Sequence, residues 1–276
     1  MTPILALFNF TVRQTLLHRR IWLTLVMLVA PSVLHLAIRA FAPPLEDPRD
    51  VWEVYHISAL FLFMSVLIPL VCLVHGTALI GADVEAGTIA YLITRRLRRA
   101  TVLLVKFVAT LVVLAGLCDL AMVGLHLSQL AGRDLAPSVA NSSYADWSPA
   151  HDLRAYLIII PFAVSGFLAL FNFIALLTAR PIAASVIYLV VSELVLSNIP
   201  AKARVYSLSH WLRVPLSGMI PGLPRVFEIP RDLTEKLYPP GAGLPAALVG
   251  IPLVALALAA IIVSVRELMP DKAARE

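Results

Sequence analysis

The chain has 276 residues, 60% of them hydrophobic and only 14% charged. A soluble domain carries nearer one quarter charged residues, so composition excludes an ordinary soluble enzyme and points to a polytopic membrane protein. The formal net charge of +5 does not imply a nucleic-acid partner, because the basic residues gather at the ends of apolar runs, where they set topology.

Residues 1–20 read as a membrane-surface helix. Ile4, Leu5, Phe8, Val12 and Leu16 share one face, while Asn9, Arg13 and Arg20 lie on another. Six apolar runs follow, at 21–38, 57–80, 102–127, 156–177, 182–196 and 244–265, and each is read as a membrane-crossing helix. The first is longer than a signal-peptide core, and Pro43 directly follows the Ala40-Phe41-Ala42 look-alike of a cleavage site, so it is read as a retained span. The fifth is the shortest. Pro181 suits the first turn of a helix, which extends this span to 181–199. Only Thr178-Ala179-Arg180-Pro181 separates the fourth and fifth runs, which predicts a tight antiparallel pair. The whole chain, 1–276, thus reads as one all-α membrane domain, with no internal repeat and no second soluble domain.

His18-Arg19-Arg20 precedes the first span, and the short inner segments are densely basic, so both termini are placed on the cytoplasmic side. The outer segments differ in kind. Residues 41–56 are acidic and Pro-rich, and 128–155 are polar with an Asn141-Ser142-Ser143 sequon. Residues 200–243 form the longest connection and hold seven prolines. Within it, Leu208, Trp211, Leu212, Leu216 and Met219 predict an interfacial or re-entrant helix interrupted at Pro215.

The connection at 81–101 carries the densest signal. Arg95, Arg96, Arg98 and Arg99 fall within five residues and mark a cytoplasmic loop. Ile89, Leu92, Ile93 and Leu97 recur at helical spacing. A topology signal alone needs no such order. Together with Asp83, Glu85, Gly87 and Thr88, the segment reads as a short amphipathic helix that docks a soluble partner.

These features resemble the first cytoplasmic loop of ATP-binding-cassette (ABC) transporter permeases of the type-2 exporter class. The matching positions are Glu85, Gly87-Thr88, the apolar run Ile89 to Ile93, Thr94-Arg95, and Lys106 at the opening of the next helix. The family usually has a Pro after that Arg, where this chain has Arg96-Leu97-Arg98-Arg99. The resemblance implies a six-span permease subunit with an N-terminal elbow helix, in a cell membrane and most naturally the bacterial cytoplasmic one. It implies a second copy or a related permease as partner, and a separate cytoplasmic ATPase that docks on the 81–101 loop and holds ATP and Mg. No G-x-x-x-x-G-K-[ST] phosphate loop occurs in the chain, so that ATPase must be another polypeptide. The outer segments offer surface for a periplasmic or extracellular partner.

Neither an H-E-x-x-H nor a G-x-S-x-G motif occurs, and no catalytic or metal-ligating set is assigned. Asp119 and Glu193 are the acids inside spans. An intramembrane carboxylate is costly and marks a candidate substrate path. The plainer reading is a helix–helix contact, with His35, Arg39 or His126 as possible partners. Used as proton or ion carriers, the same two acids would suit a secondary transporter, and a membrane anchor for an assembly complex is a further alternative. Lys106 reads as snorkelling to the cytoplasmic interface. Met64, Cys72 and His75 share a face of the second span and are read as core side chains in preference to a copper path. His56, His126, His151 and His210 fall in four separate outer regions and read as surface histidines. Cys72 and Cys118 read as small apolar fillers. Gly218 and Gly222 match G-x-x-x-G, but Pro221 between them removes its helix-packing meaning.

Overall fold

The computed structural model describes residues 3–41, 48–79, 98–130, 149–198, 206–220, 223 and 246–265. Its elements are all helical. They are α1 (Pro3–Leu17), α2 (Arg20–Phe41), α3 (Pro48–Ile57), a π-helical stretch (Ser58–Leu67), α4 (Ile68–Gly76), α5 (Arg99–Leu130) and α6 (Pro149–Leu177). Then come α7 (Pro181–Tyr188), a second π-helical stretch (Leu189–Val195), a 3-10 turn (Leu196–Asn198), α8 (Leu208–Met219) and α9 (Ala246–Val265).

Among the described residues, five stretches are long and apolar enough to cross a membrane: Arg20–Ala37, Glu53–Gly76, Arg99–Gln129, Ala150–Leu177 and Ala246–Val265. The fifth run, expected to span at 182–196, belongs to the shorter apolar helix Pro181–Val195. It continues directly into the 3-10 turn, so the helical stretch runs from Pro181 to Asn198. Its end is drawn into polar contacts through Glu193, described below. The tight pairing expected at Thr178–Pro181 is present. Pro181 opens α7 in its first turn, and Phe171 of α6 meets Tyr188 edge-on with ring centroids 6.1 Å apart.

Helix α6 is the hub, packed against α4, α5, α7, α8 and α9. Tyr156, Ile159, Val164, Phe167 and Phe171 along it are wholly buried. Two small residues allow close approach. A Cβ on Gly76 would lie 3.1 Å from the Leu168 carbonyl oxygen, so α4 lies directly against the α6 backbone. A Cβ on Gly166 would lie 2.6 Å from Leu208 Cδ2, so a larger residue there must displace the Leu208 side chain at the start of α8. Gly166→Val therefore lifts the start of α8 and costs about 1–3 kcal/mol. A thermal-unfolding midpoint in detergent lowered by a few degrees is the expected result, and an unchanged midpoint would show that α8 is not seated this closely.

The outward surface is apolar. Trp22, Val26, Leu120 and Ile187 are 64–70% exposed, an arrangement that suits lipid and that water-facing monomers avoid. Helix α1 packs on α5, but not by its predicted apolar face. Leu7 and Thr11 are buried, while Ile4, Leu5 and Leu16 stay exposed. The helix thus presses a narrow stripe on α5 and leaves its broader apolar face outward.

The first π stretch widens the second span. Ile68 N–H donates to the Phe63 carbonyl, five residues back, and Ser65 Oγ donates to the Leu60 carbonyl at 2.9 Å. Cys72 and Cys118 are buried and free, as apolar fillers would be.

Candidate functional site

Glu193 lies in the second π stretch, with 0% of its surface exposed. Its carboxylate accepts from Tyr188 Oη at 3.0 Å, Ser192 Oγ at 3.4 Å, Ser207 Oγ at 2.9 Å, and the backbone N–H groups of Leu208 at 3.0 Å and Ser209 at 2.9 Å. The last two are the opening N–H groups of α8, which have no partner within their own helix. Ser207 occupies the usual capping position, yet its side chain makes no cap bond there. It donates to Glu193 instead, and a carboxylate from a distant helix serves as the cap. The anion also faces the positive end of the α8 dipole. Ser197 Oγ donates to the Glu193 carbonyl and ties down the 3-10 turn.

A second polar contact holds the other side of α8. Arg213 is 8% exposed, and its Nη2 donates to Ser65 Oγ at 2.9 Å. The two π stretches touch each other and each carries a residue in polar contact with α8, Ser65 from the first and Glu193 from the second. Stretches of π-helix cost backbone regularity and recur at functional positions. The helix itself runs unbroken through Pro215, with Leu208, Leu212 and Leu216 at 2% exposure or less. The unbroken helix corrects the expected interruption at Pro215, and its burial favours the re-entrant over the interfacial alternative.

A buried network joins the start of α6 to α3 and the end of α5. His56 Nε2 lies 3.1 Å from Asp152 Oδ2, and His56 Nδ1 lies 2.7 Å from Tyr156 Oη. Asp152 accepts the Nε2 proton, so Nδ1 of the neutral ring accepts from the Tyr156 hydroxyl. Tyr55 stacks edge-on against Tyr156 and against His126, and its hydroxyl lies 3.3 Å from His126 Nδ1. His56 is 0% exposed, and His126 and His210 are each 6% exposed, which corrects their reading as surface histidines. His151 is the exception, with a side chain 56% exposed beside Asp152. Among the described residues, no group of three or more His, Cys, Asp or Glu is placed to hold a metal.

The remaining candidates fall elsewhere. Asp119 is half-buried, and its Oδ1 has no hydrogen-bond partner. His126, named as a possible partner for it, bonds to Tyr55 instead. Lys106 is 4% exposed and lines a cavity between helix ends. His75 Nε2 lies 2.9 Å from Thr24 Oγ1, while Met64 and Cys72 are core residues. In the 81–101 loop, Asp83, Glu85, Gly87, Thr88, Ile89, Leu92, Arg95 and Arg96 lie outside the described residues. Arg98 is exposed, and its carbonyl accepts from the N–H groups of Thr101 and Val102, so it closes the start of α5.

The plainer reading of Glu193, a helix–helix contact, agrees with its bonds to the start of α8, but the sequence did not name α8 as the partner. Sequence reasoning missed Tyr55, Asp152, Tyr156, Ser65 and Arg213. An arginine and an aspartate among apolar helices were visible signals, but their partners lie 148 and 96 residues away in sequence. Compared with known proteins, the chain matches no family model and no curated protein.

Proposed function

We propose that this chain is the membrane-spanning subunit of an ATP-driven exporter, paired with a second permease copy or a related permease and driven by a separate ATPase. The observation that carries this reading is the packing where the 81–101 loop leaves the bundle. Helix α1 lies on α5, whose first turn begins at Arg99, and the start of α2 and the end of α4 border the same cavity. A partner that moves the loop therefore moves four helix ends together. The resemblance of Glu85, Gly87-Thr88 and Thr94-Arg95 to the coupling loop of type-2 exporters supplies the class.

In this reading ATP and Mg bind the partner, on the cytoplasmic side that both termini share. ATP drives the cycle because it binds two partner states with different affinity, and this chain passes the movement into the membrane. Glu85→Ala and Arg95→Ala should each cut substrate-stimulated ATP turnover by about tenfold, equivalent to about 1.4 kcal/mol of lost coupling, while membrane insertion stays unchanged. Normal transport in both variants would sink the assignment of this loop.

One observation favours a second reading, an ion-coupled transporter. The unpartnered Oδ1 of Asp119 is the kind of group that carries a proton. Glu193 does not support it, because five donors already occupy its oxygens. Asp119→Asn separates the two readings: gradient-driven uptake is lost if Asp119 carries the ion and ATP-driven transport persists if it does not.

A further inference from the structure

Helix α5 turns one face out of the bundle. Val112, Leu120 and Leu127 on it are 56%, 67% and 58% exposed. Gly116 is exposed as well, and a Cβ built on it would meet nothing within 4 Å. Val112, Gly116, Asp119 and Val123 follow one another at steps of four, three and four residues, and none of them is fully buried. That spacing is the seam of two helices packed side by side.

The acid sets this face apart from the rest of the outward surface. Open side chains on α2, α7 and α9, such as Val26, Ile187 and Leu253, are apolar, and lipid alone suits them. Asp119 lies about five residues beyond the midpoint of α5, ~7 Å along its axis, and so inside a ~30 Å hydrocarbon layer centred on the helix. Its Oδ1 is covered by protein and has no hydrogen-bond partner, while the residue as a whole stays partly open. Acyl chains offer such a carboxyl neither donor nor acceptor, and an acid left so at mid-membrane costs about 2.5–3.5 kcal/mol.

The face is complementary to itself. Copies in one membrane share one orientation, so a two-fold axis along the bilayer normal sets their α5 helices parallel, with each residue at the depth of its twin. Asp119 then meets Asp119 of the second copy. A carboxylic acid carries one O–H donor together with acceptor oxygens, so the two satisfy each other, which an apolar neighbour does not do. Gly116, one turn away, adds no side chain and lets the two backbones approach.

We propose that α5 is the interface between two copies of this chain, joined along Val112, Gly116, Asp119 and Val123. The proposal rests on the paired-subunit reading given above and names its surface; it needs no ATPase.

The test measures association of the full chain in phosphatidylcholine vesicles, by energy transfer between two fluorophore labels over a range of protein-to-lipid ratios. The unaltered chain should dimerise reversibly. Asp119→Leu and Gly116→Leu should each weaken the dimer about tenfold. Asp119→Asn, whose amide also offers a donor and an acceptor, should stay within about threefold of the unaltered chain. Gly250→Leu on α9, where a Cβ likewise meets nothing within 4 Å, should leave association unchanged. Should a variant fail to fold, cross-linking decides the matter: on oxidation Val123→Cys should give a disulfide-linked dimer and Leu253→Cys should not. A dimer indifferent to both leucine variants, or one cross-linked through Leu253→Cys in place of Val123→Cys, overturns the interface and leaves the pairing of two copies standing. A chain that stays monomeric at every ratio overturns the interface and the pairing of identical copies together, and leaves a related permease as the partner in the proposed function.

Discussion

Glu193→Ala lowers the unfolding midpoint of the chain in detergent by roughly 10 °C, the largest single effect expected here. The truncation leaves two backbone N–H groups and the hydroxyls of Tyr188 and Ser207 buried without their acceptor. An orphaned buried donor costs about 1–3 kcal/mol, and the loss of an anion at a helix N-terminus adds up to about 2 kcal/mol in a buried setting. Some relaxation is certain, which makes about 4 kcal/mol a reasonable total and places the change among the severe substitutions. Glu193→Gln separates charge from shape. It keeps the volume and one acceptor oxygen but turns an amide N–H₂ towards donors, so it should recover less than half the loss. A midpoint within about 2 °C of the unaltered chain for both variants, under 1 kcal/mol by the same conversion, would show that the carboxylate does not hold α8.

The functional consequence follows from the packing. Helix α8 is anchored at its start by Glu193 and further along by Arg213, each through a π stretch. If the inner helix ends move during a transport cycle, α8 is the element that both π stretches must carry with them. Arg213→Met keeps the buried volume and removes the contact to Ser65, so it should uncouple the two stretches with less loss of stability than Glu193→Ala.

Asp152→Ala is the second large effect. Asp152 is 3% exposed and accepts from His56, which is itself wholly buried. Its removal leaves the imidazole N–H without its acceptor and loosens the ring against Tyr156. The cost is about 2–3 kcal/mol, or roughly 6–8 °C in midpoint. Asp152→Asn retains an acceptor oxygen and should lose about one third as much. His56→Ala and Asp152→Ala together should cost less than the sum of the two singles, because the two side chains share one hydrogen bond. A coupling energy near zero in that cycle would remove the pair from the account.

The spans were legible in the sequence because hydropathy is a local property. The runs at 102–127 and 156–177 fall inside α5 and α6, and Pro181 was correctly placed in the first turn of α7. The fifth run, expected over 181–199, is helical from Pro181 to Asn198, but its change of helix type was not legible. Apolar content alone does not reveal that a helix turns π-helical at Leu189 to bring Glu193 onto α8. The histidines were misread because His56, His126 and Asp152 sit in three different segments and meet only through the packing of α3, α5 and α6. Nothing at 52–56 or 152–156 has a spacing that announces the partnership. Glu193 shows the boundary most clearly. Burial of a carboxylate marked it as unusual, and Ser207 followed by Leu208 marked a helix start. That one serves the other is a tertiary fact.

If a separate ATPase drives this chain, as proposed above, purification of the tagged chain from its native host in mild detergent, followed by mass spectrometry and an ATPase assay, should recover a stoichiometric Walker-motif protein with vanadate-sensitive turnover that Glu85→Ala and Arg95→Ala diminish. Recovery of the chain with no ATPase, under conditions that hold a known ABC complex together, would contradict it and turn attention to Asp119.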